Sequence, residues 1–105
     1  MTKEFVLKAL FELKKIIFPH TDGEVYLFGS HARGDFHKGS DWDILILTND
    51  KIQNQESFNR YISPFAELGW ELDLEINPIQ YTREEWDGKK HSLFYHNVMQ
   101  DAIRI

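Results

Sequence analysis

The sequence predicts an α/β fold of the α+β kind, a single domain over residues 1–105, and three observations carry that expectation. The opening segment repeats apolar residues at helical spacing. Three later stretches, 24–28, 44–47 and 70–81, carry the apolar runs or the alternation of strands. Between and after them lie further segments with spacings of three and four. The chain has 105 residues, the size of one domain where domains run roughly 100–200 residues. Hydrophobic residues make up 42% and aromatics 14%, enough apolar material for a core that a disordered chain lacks.

The charge balance and the missing cysteine exclude several classes. Lys and Arg number 12 against 17 Asp and Glu, a net charge of −5, so there is no cationic coat to neutralise nucleic-acid phosphates, and nucleic acid is not expected as a partner. Cysteine is absent, which removes disulfides, thiolate nucleophiles and thiolate metal sites; any metal must use oxygen or imidazole ligands. The opening segment interrupts its apolar residues with Lys and Glu every few positions, unlike a signal peptide or a membrane span. A cytoplasmic protein without a membrane partner is the expectation.

Taken in order, Val6, Leu10, Leu13 and Ile17 mark one face of an amphipathic helix, with Lys3, Lys8, Glu12 and Lys15 at other positions and Pro19 ending it. Thr21, Asp22 and Gly23 are turn chemistry. Residues 24–28 (EVYLF) form a first strand that stops at Gly29, and 29–41 (GSHARGDFHKGSD) read as a loop leading to a second strand at 44–47. Phe58, Tyr61, Ile62, Phe65 and Leu68 suit a helix over 50–69, restarted at Pro64, with Ser63 as N-cap and Gly69 as its stop. Residues 70–81 then alternate as a third strand: Trp70, Leu72, Leu74 and Ile76 on one face, Glu71, Asp73, Glu75 and Asn77 on the other. Thr82 and Glu85 make a capping box that starts a short helix. Leu93, Phe94, Asn97 and Val98 give a further helical turn or two, and 103–105 end extended.

The chemistry concentrates between the first two strands. Asp41 and Asp43, two apart at a strand start, project to the same side, and close like charges call for a hard cation; Mg²⁺ is held by one or two carboxylates plus substrate phosphates. Taken alone, a solvated strand start explains the pair equally well. The loop ahead of it shifts the balance, because Gly29 and Ser30 directly follow a strand, where glycine lets backbone N–H groups approach an anion and the hydroxyl adds a donor. Trp42 between the two acids must face the core. His31, His37, His91 and His96 lack metal-ligand spacing and read as surface or structural residues.

The stretch GSHARGDFHKGSDWDILIL, residues 29–47, resembles the signature of the polymerase-beta-like nucleotidyltransferases. The chain's size resembles that of the minimal nucleotidyltransferases, stand-alone domains often encoded beside a helical HEPN protein. The resemblance implies the nucleotidyltransferase fold, a short mixed sheet with helices packed mainly on one face. It implies transfer of a nucleoside monophosphate, with ATP the expected donor and a two-metal Mg²⁺ site. Carried over by residue, Gly29 and Ser30 hold the triphosphate, Asp41 and Asp43 the metal, and the third acid is Asp73, favoured over Glu75. Arg33 reads either as a phosphate ligand or as a brace for the loop through Asp35, and Ser40 either as a nucleotide contact or as a turn residue. The expected acceptor is a hydroxyl, that of a tyrosine, on a HEPN-type partner, the chain serving as the antitoxin of a toxin–antitoxin pair. Two alternatives stand beside it: a nucleotide-binding antitoxin that works by contact alone, and transfer to a small molecule such as an aminoglycoside. A homo-oligomer stays open.

Overall fold

The computed structural model describes residues 2–20 and 22–105. Thr21 of the expected turn lies outside the described residues. The first helix, α1 (Lys3–Ile17), starts at Thr2, whose side chain accepts the Phe5 N–H, and it buries Val6 and Leu10 completely. Strand β1 (Gly23–Phe28) follows, then a single helical turn, α2 (Ser30–Arg33), inside the expected loop. Gly34 closes that turn in the left-handed conformation, which explains why so glycine-rich a stretch still completes one.

Strand β2 (Trp42–Thr48) is central. It pairs antiparallel with β1 and parallel with β3 (Ile76–Thr82), and the two-residue β4 (Ile103–Arg104) adds antiparallel to β1, giving the order β3-β2-β1-β4. The sheet is thus mixed and short. Alternation along β2 sorts the two cores. Trp42, Ile44 and Ile46 join Val6, Leu10 and Phe65 on one face, while Leu45 and Leu47 meet Trp86 and Val98 on the other. The longer helices, α1 and α4 (Ser63–Leu72), occupy the first face; α5 (Arg83–Asp87) and α6 (Leu93–Asp101) cover part of the second.

The crossover from β2 to β3 departs from expectation. Two helices fill it, α3 (Gln55–Tyr61) and α4. Asn54 builds a capping box with Ser57 for α3. Pro64 sits in the first turn of α4, where a missing N–H costs nothing, so the helix does restart there; the N-cap, however, is Ile62 and not Ser63. Gly69 does not stop α4. Its Cα lies so close to the returning chain that a Cβ would meet the Leu74 carbonyl at 2.8 Å, and the helix runs on to Leu72.

In consequence the third strand begins at Ile76 rather than at residue 70. Trp70, expected on its buried face, is helical and 78% exposed. Asp73 is the left-handed cap of α4, with φ 57° and ψ 44°. None of the helices is long and apolar enough to cross a membrane among the described residues.

Candidate active site

The first two strands meet where the chemistry was expected. In the β1–β2 register Phe28 stands opposite Asp43, so the chain leaving β1 passes directly beside that carboxylate. Gly29 has φ +80°, and a Cβ placed on it would collide with Asp43 Oδ2. Two constraints therefore coincide on one glycine: a left-handed backbone that side chains rarely adopt, and a Cβ position that would displace the Asp43 carboxylate. Immediately after it, Ser30 opens α2, and Gly29, Ser30, Arg33 and Asp43 together line a cavity of about 380 Å³. Its other wall is α6, through Phe94, Asn97, Val98 and Asp101.

Asp41 is exposed, just ahead of β2, and is not among the residues that line the cavity with the half-buried Asp43. Trp42 between them is buried in the opposite core and ring-stacked on His31 at 3.7 Å. His31 is buried too, held between Trp42 and Phe36, with Nε2 hydrogen-bonded to the Ser40 carbonyl at 3.0 Å. It is a structural histidine that fixes the path of the chain into Asp41.

Arg33 is a brace in this structure. Its Nε donates to Asp35 at 3.0 Å and its Nη1 to Asp101 at 2.9 Å, tying α2 to its own loop and to α6. These hydrogen bonds, Asp35's first, raise the guanidinium's pKa above its ordinary value, so the charge is permanent. Ser40 uses its hydroxyl on His37, accepting that residue's backbone N–H at 3.0 Å, and lines a different groove together with Asp73.

The third carboxylate is where sequence and structure part. Asp73 caps α4 instead of sitting on β3, and it lines the Ser40 groove, away from the cavity that holds Gly29, Ser30 and Asp43. Glu75 lies in that same groove and contributes its backbone carbonyl to the Trp42 N–H. The β3 residue in register with Asp43 is Asn77, whose Nδ2 donates to Asp43 Oδ1 at 3.2 Å. Among the described residues no group of three His, Asp or Glu side chains is placed to hold a metal ion. Asp41 and Asp43 still offer hard oxygen donors, which suits an ion that shares its shell with substrate phosphates.

Three wall residues have no site role in the sequence reading: Phe94 and Asn97, which mark only a helical turn there, and Asp101. With Val98 they follow the i, i+3, i+4, i+7 spacing of one helical face, so the signal was present, but nothing in the sequence said that this face would turn toward Gly29.

Comparison with known proteins bears on the family and the fold. MJ0604 of Methanocaldococcus jannaschii, a candidate protein adenylyltransferase, is 29% identical over 97% of this chain and 96% of its own. A bifunctional uridylyltransferase/uridylyl-removing enzyme of Vibrio campbellii is 42% identical over 54% of this chain, a match that spans 6% of that much longer protein. Among solved structures, a toxin–antitoxin complex with AMP-PNP aligns with TM-score 0.64 and 20% identity over 92% of this chain and 69% of the other. A doubly substituted mutant of the MntA–HpeT toxin–antitoxin complex aligns equally well, at TM-score 0.64 and 17% identity over the same shares of the two chains. The nucleotidyltransferase domain model matches residues 6–98, from the first buried residue of α1 to the last of α6, and the chain belongs to that family.

Proposed function

We propose that this chain transfers AMP from ATP to a hydroxyl, that of a tyrosine, of a HEPN-type helical partner, as the antitoxin of a toxin–antitoxin pair. The observation that carries the proposal is the close approach of Gly29 to the Asp43 carboxylate on β2, at the cavity of about 380 Å³ that Ser30 also lines. The protein adenylyltransferase name of MJ0604 and the toxin–antitoxin setting of the structural neighbours support the acceptor class.

In this reading Gly29 and Ser30 receive the triphosphate through backbone N–H groups and a hydroxyl. Asp41 and Asp43 provide oxygen ligands for Mg²⁺, which when bound neutralises the phosphates and polarises the phosphorus under attack. The acceptor oxygen forms a bond to the α-phosphorus, the α–β phosphoanhydride bond breaks, and pyrophosphate departs. The hydroxyl proton is released to solvent as the new bond forms; Asn77, the side chain in register with Asp43, is an amide and does not take it. The positioning of the acceptor falls to the partner, because the cavity is open on its outer side and holds the nucleotide end of the reaction.

Asn77 also favours one alternative, a nucleotide-binding antitoxin that blocks its partner by contact. Intact-mass spectrometry of the protein encoded beside this chain, after incubation with ATP and Mg²⁺, separates the two. A mass increase of one AMP, lost in Asp43→Asn, supports transfer. A stable complex with no added mass supports contact alone.

A further inference from the structure

The cavity beside Asp43 has a second end. Phe94, at the start of α6, and Asp101, at its end, are seven residues and about 10 Å apart along the axis. The Asp101 end is pinned to Arg33, next to the phosphate turn. The Phe94 end presents an aromatic ring, 43% exposed, at the same cavity. That ring is not loose: Trp86, itself buried, holds it edge-on at 5.8 Å and 89°. One turn along the same face stands Asn97, exposed, whose amide makes no hydrogen bond among the described residues.

We propose that Phe94 and Asn97 form the base-binding end of the site: the ring stacks on the nucleobase and the amide reads the edge of adenine. The proposal rests on the nucleotide reading given above and deepens it. A flat apolar face stacks on any base, and in single-stranded nucleic acids such contacts are worth roughly 1–3 kcal/mol, about a fivefold to hundredfold change in affinity. A carboxamide offers one acceptor and one donor side by side. That matches adenine's amino group and its adjacent ring nitrogen, whereas guanine presents two acceptors at the corresponding edge. The cavity, about 380 Å³, lies within the range that binds small ligands. Both residues sit on the helix that Arg33 already ties to the phosphate turn, so the two ends of the nucleotide are gripped by one braced unit.

The test is calorimetry of the full chain with Mg²⁺ and four probes: ATP, GTP, UTP and inorganic tripolyphosphate. Phe94→Ala and Phe94→Leu should weaken ATP about fivefold or more and leave tripolyphosphate unchanged, while Phe94→Tyr keeps the ring and holds the affinity. Asn97→Ala should shrink the preference for ATP over GTP about twofold to tenfold. If Phe94→Ala fails to fold, the comparison of Phe94→Leu with Phe94→Tyr carries the same information. Wild-type ATP affinity in the leucine and Asn97→Ala variants, with tripolyphosphate still bound, overturns the base subsite and leaves the nucleotide reading standing. Equal losses for ATP and tripolyphosphate also overturn it, assigning Phe94 a structural role. Wild-type protein that binds neither ATP nor tripolyphosphate overturns the nucleotide reading itself.

Discussion

Gly29 carries more constraint than any other residue of the cavity. Its φ of +80° is strained for any side chain, and the space a Cβ needs is taken by Asp43 Oδ2. Gly29→Val should abolish nucleotide binding and cost about 1–3 kcal/mol of stability from backbone strain. Calorimetry with ATP and Mg²⁺ beside a thermal melt checks both; a folded variant with normal binding would move the phosphate cradle elsewhere. Asn77 makes a second claim at this scale. As a neutral donor to Asp43 it stabilises one carboxylate without adding another, so β2 and β3 offer an ion Asp43 but no acid beside it in register. Asn77→Asp should lower stability in EDTA, by repulsion between adjacent strands, and should gain more from Mg²⁺ than the wild type gains. A melt whose Mg²⁺ response is the same in both proteins would show that residue 77 does not face the ion.

At the scale of elements, the capping box between Thr82 and Glu85 joins β3 to α5 and is a sequence feature that the structure realises in full. Thr82 Oγ1 accepts the Glu85 N–H at 3.0 Å, and Glu85 Oε1 accepts the Thr82 N–H at 2.9 Å. Thr82→Ala should cost about 1 kcal/mol by denaturant unfolding. The bond from the Thr82 N–H lowers the Glu85 pKa below the ordinary carboxylate value. Its stabilisation is therefore present at neutral pH and fades as pH falls through the lowered folded value; Glu85→Gln should flatten the acid limb of the stability profile. The neighbouring crossover shows why other elements were less legible. From Trp70 to Ile76 the apolar residues fit an alternating strand, yet Phe65, Leu68, Gly69 and Leu72 also continue a helical stripe. The helical reading prevails because Phe65 and Gly69 are both buried, which holds α4 in place to Leu72, and the left-handed Asp73 then turns the chain into β3. One misplaced boundary carried the third acid with it. The Gly29–Asp43 pairing was legible because a strand, a tight turn and a second strand are local in sequence. The α6 wall was not, since no local pattern states which sheet face a late helix will cover.

Across the whole molecule, the two faces of the sheet differ in how much they stabilise. One carries α1 and α4 with the fully buried Val6, Leu10 and Phe65; the other holds α5 and α6 by a smaller cluster around Trp86 and Val98. The cavity lies at the weaker face, with α6 as its wall. Phe65→Ala should cost about 3–5 kcal/mol, a large share of the stability of so small a domain, and unfold it as a unit. Val98→Ala should cost about 1–3 kcal/mol and act differently, loosening α6 while the sheet persists. Nucleotide affinity should then fall without loss of fold, since Phe94, Asn97 and Asp101 reach the cavity only while α6 is docked. Hydrogen exchange checks this directly. Amides of α6 should exchange faster than those of β1 and β2 in the free protein, faster still in Val98→Ala, and slow on adding ATP with Mg²⁺. Equal protection of α6 and the central strands, unchanged by nucleotide, would mean that the wall is as rigid as the core and that binding does not draw on its docking.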